Sequence, residues 1–72
     1  MIKVNLDRVL LDKNITSKML AAEIDITPAN LSILKTGKAK GIRFETLSKI
    51  CEVLDCQPGD ILEFVSDNEA NK

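Results

Sequence analysis

Four cations fall within nine residues near the middle of the chain: Lys35, Lys38, Lys40 and Arg43. Flexible cations clustered on a short loop suit phosphate oxygens, and together they read as a phosphate-facing edge. Catalysis has no comparable support. The 72 residues include no His, and neither Cys51 nor Cys56 has a basic partner nearby in sequence. No glycine-rich phosphate loop and no HExxH-type motif occurs. Two thiols without histidine also lack the usual ligands of a zinc site. The acidic pairs lie on polar surfaces with no sign of a cleft. These residues point away from an enzyme, and no metal, cofactor or small-molecule substrate is expected.

The basic edge needs a scaffold, and the stretch from Ser17 to Thr36 supplies one. It reads as two short amphipathic helices joined by a tight turn. Leu20 and Ala21 lie on the first, Ile26 follows the turn, and Leu31 and Leu34 lie on the second. This spacing packs one helix steeply across the other and leaves the far side of the second exposed. A short, braced, exposed helix is the device that enters a DNA major groove.

A recurring arrangement marks five helix starts: an apolar residue, a capping position, then an apolar residue four places later. Val4-Asn5…Val9 opens the first helix, which runs to about Lys13 and buries Leu6, Val9 and Leu10. Ile15-Thr16…Leu20 opens the second, and Ile26-Thr27…Leu31 the third, with Pro28 at the favoured first position. Ile42-Arg43…Leu47 opens the fourth behind a weak cap, and it buries Leu47, Ile50, Cys51 and Leu54. Cys56-Gln57…Ile61 opens a short fifth helix. Asn5, Thr16 and Thr27 carry oxygens able to accept from orphan N–H groups. Gly37 supplies the left-handed end of the third helix. At the chain ends, Met1–Val4 alternates apolar and polar residues and Glu63–Val65 is β-prone, so the two can pair as an antiparallel ribbon. The expectation is an all-α, five-helix bundle with such a ribbon joining its ends. It forms one domain over residues 1–66, with residues 67–72 a loose tail.

Composition agrees with a small aliphatic core. Apolar residues make up 44% of the chain, with no Trp or Tyr and only Phe44 and Phe64 as aromatics. No apolar run approaches the roughly 20 residues of a membrane span, and no secretory leader opens the chain. A cytoplasmic protein with two reduced thiols is expected. The net charge is −1, but residues 1–43 hold eight Lys/Arg against four acids, and residues 44–72 hold two Lys against seven acids. Such polarity suits a basic face turned toward phosphates and an acidic back turned away.

Leu20-Ala21, Ile26-Thr27, Leu31-Ser32-x-Leu34, Gly37-Lys38, Leu47-x-x-Ile50-Cys51-x-x-Leu54 and Pro58-x-Asp60-Ile61-Leu62 stand together in one order. With these signposts the chain resembles the phage-repressor and Cro-type helix-turn-helix regulators, from about Leu6 to Leu62. Two residues depart from the family pattern. Asp25 stands where the turn usually has Gly, and Ser17 where the second helix usually begins with Gln.

The resemblance implies a helix-turn-helix in the second and third helices and a sequence-specific regulator of transcription. It usually acts as a dimeric repressor on a palindromic operator in double-stranded DNA. The base-reading positions would fall on Pro28, Ala29, Asn30 and Ile33. Among these, Asn30 can pair in two directions with adenine, while Ala29 and Ile33 suit thymine methyl groups. The phosphate-contacting positions would be Thr16, Ser17, Thr27, Ser32, Lys35, Thr36, Lys38, Lys40 and Arg43. A homodimer would meet through the C-terminal side, at Asp55, Gln57, Ile61 or Phe64. A protein-interaction module such as an antitoxin or adaptor, built on the same fold, is the alternative.

Overall fold

Apolar side chains from all five helices close a core that contains no buried polar group among the described residues, 1–66, of the computed structural model. The elements in chain order are β1 (Ile2–Val4), α1 (Leu6–Lys13), α2 (Ser17–Glu23), α3 (Pro28–Lys35), α4 (Phe44–Leu54), α5 (Pro58–Ile61) and β2 (Leu62–Phe64). Leu6, Leu20, Leu31, Ile50, Leu54 and Ile61 are the large side chains most completely enclosed. The expected tail, 67–72, lies outside the described residues.

The helices begin where the stapled caps place them. Thr16 Oγ1 accepts from the Met19 N–H at 3.1 Å, and Thr27 Oγ1 from the Asn30 N–H at 3.1 Å. Gln57 opens α5 differently: its N–H donates to the Asp60 carboxylate at 2.9 Å, and the Asp60 N–H returns to the Gln57 carbonyl at 2.9 Å. Arg43 precedes α4 without a side-chain cap bond. Asn5 corrects the expectation made for it. It precedes α1, but its side-chain amide donates to Glu63 Oε1 at 3.0 Å instead of capping the helix. A partner on β2 has won over the orphan N–H groups of α1.

Four helices end in one way. Asn14, Asp25, Gly37 and Asp55 adopt left-handed backbone, with φ of 57°, 58°, 77° and 49°. The following N–H then reaches back five positions: Ile15 to the Leu10 carbonyl, Ile26 to Ala21, Lys38 to Ile33 and Cys56 to Cys51, at 3.0 to 3.1 Å. This is the hydrogen-bond pattern of a Schellman ending, and it satisfies carbonyls the last turn leaves open. In three of the four, the residue that closes one helix (Ile15, Ile26 or Cys56) immediately precedes the N-cap of the next. Ile15, Ile26 and Cys56 are half-buried against the core, which anchors each corner.

β1 and β2 pair antiparallel with Ile2 opposite Phe64, Lys3 opposite Glu63 and Val4 opposite Leu62, as the alternation at the chain ends foretells. The ribbon extends one step further, with the Val65 N–H donating to the Met1 carbonyl at 2.9 Å. Val4 and Leu62 seat its inner face on the core. Two details of the expected core differ. Ile24 is buried although no helical stripe singles it out, and Cys51 is half-buried rather than enclosed. Both thiols are free. Burial, reinforced by the neighbouring Cys51, pushes the Cys56 thiol above its ordinary pKa.

Candidate nucleic-acid interface

α2 and α3 pack against each other, and the turn between them holds Asp25 in the left-handed region that Gly usually fills. Asp is among the few L-residues that tolerate this conformation, so the turn between the helices survives the replacement. α3 buries Leu31 and Leu34 and turns Pro28, Ala29, Asn30, Ser32 and Ile33 outward. Ile33 is 46% exposed, one of seven large apolar side chains open to solvent among the described residues. The outward face is therefore mostly methyl and methylene surface around one amide, Asn30.

The hydroxyls differ in what they have left to give. Thr16 and Thr27 use an oxygen lone pair to cap their helices, which leaves each proton available. Thr36 turns its hydroxyl back on α3, donating to the Ser32 carbonyl at 3.0 Å and the Ile33 carbonyl at 3.3 Å. As it stands, its proton is spent inside the helix. Ser32 is exposed on α3, and Ser17, at the start of α2, is half-buried.

The basic edge divides into two parts. Lys38, Lys40 and Arg43 are exposed on the segment that leaves α3 through Gly37, and none is ion-paired to a described residue. Lys35 is different. Its ammonium lies 3.0 Å from Asp7 Oδ1 and donates to Ser17 Oγ at 2.8 Å, and the side chain is only 22% exposed. The cluster of four cations thus presents three free charges and one that is compensated. Asp7 carries no local sequence signal, because its partner lies 28 positions along the chain.

The residues expected at a dimer surface also divide. Asp55, Gln57 and Phe64 are exposed. Ile61 is fully buried. It is a core residue of α5 and cannot form part of an outward face, which corrects its assignment.

With this geometry in place, comparison with known proteins is decisive. Residues 5–67 match the Cro/C1-type HTH DNA-binding domain. The chain belongs to that family. A relative in Bacillus subtilis (strain 168), described as an uncharacterized HTH-type transcriptional regulator, YozG, is 52% identical over 66 residues. That alignment covers 92% of this chain and 79% of the relative. Among solved structures, a putative DNA-binding protein from Bacteroides fragilis superposes with a TM-score of 0.77 at 22% identity, covering 88% of this chain and 100% of the other. The transcriptional regulator VanUg superposes with a TM-score of 0.73 at 25% identity, covering 92% and 87%. A Cro/C1-type domain is a DNA-binding module and not an enzyme. In this Cro/C1-type domain, no helix of the described residues is long and apolar enough to cross a membrane.

Proposed function

We propose that the chain is a transcriptional repressor that binds a palindromic operator as a homodimer, with α3 of each copy in the major groove. The observation that carries this reading is the outward face of α3, where Asn30 stands exposed beside three uncompensated cations on the following segment. Asn30 reads adenine, and Ala29 and Ile33 lie against thymine methyls, which favours half-sites containing A·T pairs. Lys38, Lys40 and Arg43 hold the backbone. Occupying a promoter is enough to block it, so repression asks nothing of the protein beyond DNA contact.

Dimerisation draws on the ribbon. Ile2 and Phe64 face each other across the strands and are 57% and 74% exposed, on the face that Val4 and Leu62 seat on the core. This overhanging apolar pair, on the ribbon face that meets Ala39 and Ile42 of the segment after α3, suits a second copy that places two α3 helices about 34 Å apart, one turn of B-DNA.

Selection from a random duplex library, followed by anisotropy titration across a salt series, tests the reading. Three cations per subunit in a dimer give a log–log slope of about −5. Absent or salt-insensitive binding overturns the proposal in favour of a protein-interaction role such as an antitoxin or adaptor.

A further inference from the structure

We infer that Lys35 is a positioning residue for DNA binding: with Asp7 it holds the Ser17 hydroxyl so that its proton is offered to a backbone phosphate, and it does not itself contact that phosphate. This rests on the DNA-binding reading above and assigns one of its contacts.

The chemistry of the three groups leaves little freedom. An ammonium has only donors, so at 2.8 Å the Ser17 oxygen must be the acceptor. With a lone pair committed to a cation, the hydroxyl proton turns away from Lys35, since like-signed ends repel. No described residue accepts that proton. A hydroxyl that accepts from a charged group is also polarised into a stronger donor. Its remaining hydrogen bond is thus directed and unfilled, at the first residue of α2. Asp7, 3.0 Å from the same ammonium, cancels its charge and ties α1 to the α2–α3 pair. A lysine compensated in this way releases no counterion when DNA binds, so it is absent from the salt dependence. Ser17 is short, and this bracing is what a short side chain needs in order to serve as a fixed donor.

The test is a double-mutant cycle on the full chain, read by anisotropy on a selected duplex over a salt series. Ser17→Ala is expected to weaken binding about tenfold per subunit, the usual cost of one hydrogen bond to a charged acceptor. Lys35→Met is expected to weaken it by a similar factor while leaving the salt slope unchanged. The double variant should bind no worse than either single one, and Lys35→Arg, which keeps a donor, should recover most of the loss. As a comparator, Lys40→Ala should flatten the slope by about one unit per subunit. Urea melts accompany each variant. Should Lys35→Met fail to fold, Lys35→Met combined with Asp7→Asn serves instead, since it leaves no carboxylate unpaired: binding should weaken with the slope unchanged, and a flatter slope overturns the inference. Additive losses in the cycle, or a flatter slope for Lys35→Met, overturn it as well. If the parent binds no duplex, both readings fall; if the parent binds while the losses add, only this one does.

Discussion

Single residues decide how much base discrimination this domain can have. Asn30 is the one exposed amide on the mostly apolar outward face of α3. Asn30→Ala should relax preference at one base pair of each half-site, by about 1–3 kcal/mol, while Lys40→Ala should weaken all sequences alike. Parallel selections with each variant separate the two outcomes; equal loss on every duplex would contradict the division of roles. Backbone conformation offers another residue-scale test. Asp55 is left-handed at the C-terminus of an 11-residue helix, where its negative charge also opposes the helix dipole. Asp55→Gly relieves both and should raise the unfolding free energy by about 0.5–1 kcal/mol, measured by urea denaturation. At this scale the sequence is readable where a residue acts on its own neighbours. Asp25 and Gly37 take their expected left-handed conformations. Asn5 and Lys35 resist such reading, since Glu63 and Asp7 claim their side chains from 58 and 28 positions away.

Which side of a helix faces inward is legible only where the helix spans more than one turn. α1 to α4 do so, and their starting positions follow from the stapled spacing even where, as at Asn5 and Arg43, no capping bond forms. α5 has four residues, one turn, so no periodicity tells its inner side from its outer. The resemblance puts Ile61 at an interface, whereas it closes the core. The same reasoning ranks the caps. Thr27 accepts the Asn30 N–H at the start of α3, so Thr27→Ala should cost about 1 kcal/mol of stability in a urea melt. Asn5→Ala removes no capping bond at α1, so any loss it causes comes from the Glu63 contact and should disappear in a Glu63→Ala background. A loss that persists there would make Asn5 the cap of α1.

For the whole molecule, the charge split along the sequence turns out to be a poor map of the surface. Arg8 and Lys13, counted with the basic half, line a groove with Asp12, Asp55, Asp60 and Glu63 on the α1–α5 side. On the DNA-binding reading proposed above, the cations that face the backbone are those after α3, and the salt slope follows from their number. Linear sequence cannot show this mixing, because it arises when α5 folds back onto α1. Assembly is the remaining whole-molecule property. Sedimentation equilibrium at tens of micromolar should find a dimer, and Phe64→Ser, which removes the exposed aromatic of β2, should shift it toward monomer. Monomer alone at that concentration would rule out the ribbon-face assembly.

The ribbon has a consequence for chain connectivity. Because the backbones at residues 1 and 65 already bond to each other, their covalent order is incidental to the core beneath them. A circular permutant that bridges these positions with a few flexible residues, and opens instead at exposed Gly41, should reach the same fold. Opened there, the permutant would also test whether the segment proposed to hold phosphates must be a closed loop to do so.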